Sequence, residues 1–183
     1  MSAFRIPFVA ALLLLPLPAL AAFTVAGKPK VEFFAVGNPG ALDISAKAEV
    51  LNVADDGTTL TFRVPCTAVK TGIDLRDEHM CKNHVQSDTF PDVTLAFPRA
   101  AVTWPQDASE AKGKVAAQFT LHGVSQPVEV TYAIKKSKIG YRVTSATFAF
   151  DATAHGIPKV IYAGVGVEPK MNAKISNLDL SGE

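Results

Sequence analysis

The sequence predicts an all-β domain of about eight antiparallel strands. Three observations predict this class: apolar and polar residues alternate with a period of two, turn-forming residues separate the alternating segments, and no amphipathic helix of three turns is evident. In the segment 42–50, Leu42 and Ile44 fall on one face. Asp43 and Lys47 fall on the opposite face, as expected of a strand that is buried on one side only.

Residues 1–21 are predicted to be a cleaved signal peptide. Arg5 is their only charged residue, an apolar run follows it, and Ala19 and Ala21 are small residues at the positions that a signal peptidase recognises. The apolar run is broken by prolines and is shorter than the ~20 residues that usually span a membrane. The mature domain is therefore expected to be residues 22–183.

The expected strands follow one another along this domain, with turns between them. Residues 55–57, Asp-Asp-Gly, are typical of a hairpin turn, and the polar segment 105–114 is expected to be a solvated loop. A short helical connection is expected around 74–86. The strands are expected near residues 31–37, 41–53, 58–66, 93–98, 114–122, 127–136, 140–151 and 163–180.

This strand count suits two architectures. A closed up-and-down barrel of about eight strands has room for one small ligand, whereas a two-sheet sandwich fills its own core. The inward faces carry small residues such as Ala46, Ala48 and Ala117. Small side chains are compatible with an open lumen and with tight packing, so periodicity alone leaves both architectures open.

The charge of the chain is balanced. It contains 18 basic and 17 acidic residues, and removal of Arg5 with the signal peptide makes the two counts equal. Nucleic acids and anionic membrane surfaces attract proteins with a basic excess. The balance therefore argues against either as a partner, and no segment after the signal peptide has the length of a transmembrane helix.

Three parts of the chain carry distinctive motifs: TGIDLRDEHM (71–80) followed by FPDVTLAF (90–97), GKVAAQFTLHGVSQPVEV (113–130), and FAFDATAHGIP (148–158). The first resembles the central signature of the YceI-like family, and the other two are similar to two further signatures of that family. The resemblance implies an eight-stranded antiparallel, lipocalin-like up-and-down β-barrel that is exported to the periplasm. It also implies that a polyisoprenoid or an isoprenoid quinone binds in an elongated lumen.

Strand phase and the central signature give candidate ligand contacts. Arg76, Asp77 and His79 are predicted to form a polar rim that binds a ligand head group, because a guanidinium offers several donors to a pyrophosphate or quinone oxygen. Alternatively, Arg76 and Asp77 cap the short helix and hold it over the barrel. The side chains predicted to face the lumen are Ile44, Phe62, Val64, Phe119, Leu121, Val130 and Tyr132.

The two cysteines are predicted to form a disulfide. Cys66 ends a strand and Cys81 lies in the short helical connection, so the bond would close a loop of about fifteen residues and fasten that connection to the barrel wall. The alternative is a free Cys81 beside His79 and His84, since sulfur and imidazole together suit copper. On an α-helix these two histidines would diverge by more than a right angle, so the three residues are only weak candidates and no metal is predicted.

We therefore predict a periplasmic binding or carrier protein that holds a long apolar molecule in its barrel. No catalytic motif is present, so the chain is not expected to be an enzyme, and no cofactor is expected beyond a bound isoprenoid lipid or quinone. Two alternatives remain: a copper- or haem-associated protein that uses His79, Cys81 and His84, or a solid-core β-sandwich that acts as an interaction module. The sequence does not identify the ligand and leaves a homodimer open.

Overall fold

A computed structural model describes residues 22–39, 42–162 and 164–182, and the predicted signal peptide lies outside these residues. The described residues form one antiparallel sheet of thirteen strands. The strands are β1 (Thr24–Ala26), β2 (Lys30–Asn38), β3 (Leu42–Ala48), β4 (Asn52–Asp55), β5 (Thr59–Pro65), β6 (Asp92–Pro98), β7 (Glu110–Leu121), β8 (Val124–Ser137), β9 (Gly140–Asp151), β10 (Ile161–Tyr162), β11 (Val165–Val167), β12 (Lys170–Ser176) and β13 (Leu178–Ser181).

Helical structure is concentrated in the connection between β5 and β6. A short α-helix, α1 (Asp74–Glu78), continues directly into a π-helix (His79–Val85). Single turns of 3-10 helix occupy Cys66–Ala68, Arg99–Ala101 and Ala152–His155. Among the described residues, no helix has the length and apolar character needed to cross a membrane.

The sheet curls because bent strands join its two ends. Neighbouring strands follow the order β10-β11-β2-β12-β9-β8-β7-β6-β5-β4, and β3 pairs with β2. The chain passes from β3 to β4 within three residues, so one bent strand pairs with β2 in its first half and with β5 in its second. In the same way β12 and β13 are halves of a second bent strand, of which β12 pairs with β2 and β13 with β1.

These bends explain the number of strands. Counting β1 with β2, β3 with β4 and β12 with β13, and setting aside the short β10–β11 hairpin, leaves eight strands. The predicted eight-stranded, antiparallel, lipocalin-like barrel is therefore confirmed, although the bends divide it into more pieces. The two-sheet sandwich is wrong, because the described strands belong to a single curled sheet.

Three boundaries differ from the sequence-based expectation. Strand β7 begins at Glu110, inside the segment 105–114 that was expected to be a loop. His122 and Gly123 both have positive φ and form a two-residue hairpin turn. Strand β8 therefore begins at Val124, before the expected start at residue 127, and Pro127 lies within it. The expected strand 163–180 consists of β11, β12 and β13, and its first part pairs with β10 as a hairpin.

One end of the barrel is packed solid. The rings of Phe23, Trp104 and Tyr141 lie with their centroids 4.8 to 5.7 Å apart. The Arg99 guanidinium lies 4.1 Å from the centroid of the Phe23 ring, and its Nη1 is 2.9 Å from Asp55 Oδ2. The same carboxylate oxygen accepts a hydrogen bond from the backbone N–H of Phe23. The buried Asp55 carboxylate therefore has both an ionic partner and a hydrogen-bond donor.

Candidate functional site

The opposite part of the barrel encloses a cavity of about 460 Å³. Its wall is formed by β2 and β3, by the connection 66–85, and by the segment 157–171. Phe119, Leu121 and Phe150, from β7 and β9, complete the wall. Exposed residues such as Leu42 and Lys159 also line the cavity, so it reaches the protein surface.

The lining is mainly apolar. Its apolar side chains include Phe33, Phe34, Ala35, Ile44, Ala46, Val69, Met80, Val85, Val93, Phe119, Leu121, Phe150, Ala152, Ile157, Val160, Val165, Val167 and Met171. The polar and charged residues of the lining are Asp43, Thr71, Arg76, His79, His84 and Lys159. An apolar cavity with a few convergent polar groups is typical of a binding site for a small amphiphilic molecule.

The seven predicted lumen residues separate into two groups. Ile44, Phe119 and Leu121 line the cavity. Phe62, Val64, Val130 and Tyr132 are buried in the core but are not part of the cavity wall. Their contact with a ligand stays a prediction that this geometry does not favour.

Tyr132 shows how this second group is used. Its hydroxyl accepts a hydrogen bond of 2.9 Å from the backbone N–H of Thr103. Gly113 lies opposite on β7, and a Cβ placed there would come within 2.6 Å of the tyrosine oxygen. The ring is therefore held in the packed core by a close approach that only glycine permits.

Three residues of the TGIDLRDEHM segment form a hydrogen-bonded chain. Asp77 is 6% exposed, and its Oδ1 accepts hydrogen bonds from the backbone N–H and the hydroxyl of Thr71. The Thr71 hydroxyl oxygen accepts in turn from Arg76 Nε at 2.8 Å, and the Thr71 carbonyl accepts from Arg76 Nη2 at 3.0 Å. The network fixes the Arg76 guanidinium on the cavity wall.

The predicted rim residues therefore have different surroundings. Arg76 and His79 line the cavity, whereas Asp77 lies behind its wall. Asp77 does not cap α1, because the N-cap residue of this helix is Ile73 and no side chain makes a capping hydrogen bond there. Asp77 instead anchors the turn before the helix, so the capping alternative is wrong in detail although Asp77 has a structural role.

The π-helix brings two histidines to the same cavity. Its hydrogen bonds join residues five apart, so His79 and His84 lie on about the same face. The expected divergence assumed α-helical geometry and is wrong for that reason. Burial lowers the pKa of His84, and the charge of the nearby His79 lowers this pKa further.

The disulfide is present between Cys66 and Cys81. It joins the 3-10 turn that follows β5 to the π-helix and so fastens the connection that covers the cavity. Cys81 is therefore not a metal ligand, and the alternative of a copper or haem site that uses this thiol is wrong. The described residues contain no cluster of three or more His, Cys, Asp or Glu side chains that could hold a metal.

Several lining residues were not predicted from the sequence. Phe33 and Ala35 lie on β2, a strand that was expected but assigned no role. Val160 precedes β10 and Val165 begins β11, where short segments give no clear alternation. The inward phase of β2 could have identified Phe33, but no pattern indicates the hairpin.

A family model described as YceI-like domain matches residues 26–176. The chain belongs to the YceI-like family. The resemblance of the three sequence segments to this family is thereby confirmed, and the match extends over most of the barrel. Comparison with curated proteins found no match.

Three solved structures share the fold of this chain at low sequence identity. A polyisoprenoid binding domain from Saccharophagus degradans has a TM-score of 0.70 at 15% identity, over 88% of this chain and 99% of that one. BcnA of Burkholderia cenocepacia has a TM-score of 0.56 at 12% identity, over 80% and 93%. The YceI protein of Campylobacter jejuni has a TM-score of 0.52 at 17% identity, over 75% and 84%.

Proposed function

We propose that this YceI-like protein binds the apolar chain of a lipid, of the polyisoprenoid or isoprenoid-quinone type, and carries it within the periplasm. The observation that supports the proposal most directly is the cavity of about 460 Å³ with its largely apolar wall. The Saccharophagus degradans structure, which has the same fold, is described as a polyisoprenoid binding domain.

Burial of hydrocarbon would supply the affinity. Each methylene moved from water into an apolar cavity contributes about 0.8 kcal/mol, so ten methylenes contribute about 8 kcal/mol before the cost of association. Leu42 and Phe34 are exposed and also line the cavity, so part of its mouth is apolar where it meets solvent. A hydrocarbon chain could enter along this apolar part of the mouth.

Export is part of the proposal. Residues 1–21 have the composition of a signal peptide, and disulfides such as Cys66–Cys81 persist in oxidising compartments.

We propose binding without catalysis. Thr71, which bonds to Arg76, is itself hydrogen-bonded to Asp77, which favours a positioning role over an acid–base one for these two residues.

The test is chemical analysis of ligand carried by the natively purified protein. Organic extracts of the wild type should contain a lipid with an apolar chain when examined by mass spectrometry. The Ala46→Phe variant should contain much less, because Ala46 lines the cavity and a phenyl ring there would fill part of it. Ala54→Phe is the matched control, since Ala54 is exposed on β4.

Two results would contradict the proposal. Repeated empty extracts from the wild type, together with no uptake of added lipid, would show that the cavity is not a lipid site. Equal lipid content in Ala46→Phe and the wild type, with both proteins folded by circular dichroism, would place the lipid elsewhere on the protein.

A further inference from the structure

The charged groups around the cavity are predominantly basic. Arg76 and Lys159 contribute two permanent positive charges to the wall, and His79 and His84 add two imidazoles. Asp43 is the one acidic residue among the described lining residues, and like Lys159 it is exposed to solvent. The mouth therefore favours an anion, although the whole chain carries a balanced charge.

Arg76 is held in place for such an anion. The Arg76 guanidinium has five N–H donors, and two of them, on Nε and Nη2, donate to Thr71. The other three can bond to an anionic oxygen with little loss of side-chain entropy, because the guanidinium is already fixed. Lys159 is only weakly paired, with Glu168 Oε1 at 4.0 Å from its Nζ on the protein surface.

The volume of the cavity limits the length of the chain. A methylene occupies about as much space as a water molecule in the liquid, roughly 30 Å³. A cavity of about 460 Å³ therefore accommodates roughly 15 such groups, or about three isoprene units. A polyisoprenoid with many more units would leave most of its chain outside.

We propose that the cavity binds a single-chain amphiphile of roughly 15 carbons whose anionic head group, a carboxylate or a phosphate, is held by Arg76 and Lys159. The inference rests on the proposed lipid-binding function and narrows it to a charged ligand of limited length. The Arg76 and Lys159 donors supply charge-assisted hydrogen bonds, which are stronger than those to a neutral alcohol.

Binding of an anion should be coupled to protonation of His84. Burial and the charge of His79 lower the pKa of His84 in the empty protein, which favours its neutral ring. An anion beside the ring raises this pKa again, so binding takes up a proton and strengthens as the pH falls. The other charged or titratable groups that face the cavity are Asp43, Arg76, His79 and Lys159.

Isothermal calorimetry with three ligands of equal chain length tests this inference. The mature protein, stripped of lipid, is titrated with myristate, tetradecyl phosphate and tetradecanol. At least one anion should bind about tenfold more tightly than the alcohol, and the tighter anion identifies the head group. Lys159→Gln and Arg76→Gln should each reduce this preference, whereas the control Lys112→Gln, an exposed lysine on β7 outside the cavity wall, should not.

Other outcomes would overturn the inference. Equal affinity for the anions and the alcohol, or an equal loss for all three ligands in Lys159→Gln, would exclude recognition of the charge. Carboxylates of 10 to 24 carbons should gain affinity only up to about 15, and a continued gain would exclude the length limit. If only a long neutral isoprenoid binds, this inference fails and the proposed function stands; if no lipid binds, both fail.

Discussion

His84 combines partial burial with a histidine neighbour on the same helical face. Burial is the larger cause of its lowered pKa, and the charge of His79 is the second. The sequence placed His79 and His84 five residues apart but could not show that they share a face, because a π-helix has no established sequence signature. Arg76 and Asp77 were recognised as a pair from their motif, but the intermediate role of Thr71 required coordinates.

Protonation of His84 should make the stability of the empty protein depend on pH. Above its usual pKa of 6.5 the ring is neutral in both the folded and the unfolded chain. Below that value the unfolded chain binds a proton that the folded chain resists, so the free energy of unfolding decreases as the pH falls. Urea unfolding of lipid-free protein between pH 7.5 and pH 5.5 should show a smaller decrease for His84→Gln than for the wild type, and equal decreases would contradict this assignment.

The connection between β5 and β6 is the element that converts the barrel into a binding site. Cys66, Val69, Met80 and Val85 line the cavity from this segment, and the disulfide fastens its π-helix to its first residue. The spacing of the cysteines and the predicted signal peptide favoured the bond over a free Cys81. The exact path of the connection was not predictable, because it depends on the Thr71–Asp77 hydrogen bonds and on the π-helix.

Removal of the disulfide should weaken the protein and loosen the cavity wall. The bond closes a loop with a sequence separation of 15, and loss of this constraint should cost about 3 kcal/mol. For a domain of this size the melting temperature should fall by about 6 to 12 °C. Differential scanning calorimetry of the Cys66→Ser/Cys81→Ser variant tests this prediction. A melting temperature unchanged from that of the wild type would mean that the bond does not stabilise the connection between β5 and β6.

The whole barrel is divided into a packed end and a hollow end. The sequence predicted which residues face inward, because alternation in strands such as β5 identifies a face. The sequence did not predict the position of a residue along the barrel axis. Ala46 and Ala48 share the inward face of β3, about 7 Å apart, yet only Ala46 lines the cavity.

Because position along the barrel is not predictable from periodicity, only some of the predicted lumen residues line the cavity. Phe119 lies at the boundary, where it packs against Phe148 and His155 on one side and lines the cavity on the other. Phe62 belongs to the packed end, where its ring meets that of Phe97 at 5.3 Å. Periodicity assigns both to the interior, and only the three-dimensional arrangement separates the cavity from the packed core.

A crystal structure of the protein purified natively with its ligand tests the central claim most directly. We predict continuous density for a hydrocarbon chain inside the barrel, in contact with Ala46, Phe119 and Met171 and with its head near Arg76. An interior filled by the protein's own side chains, or a lipid bound only on the outer surface, would contradict the account.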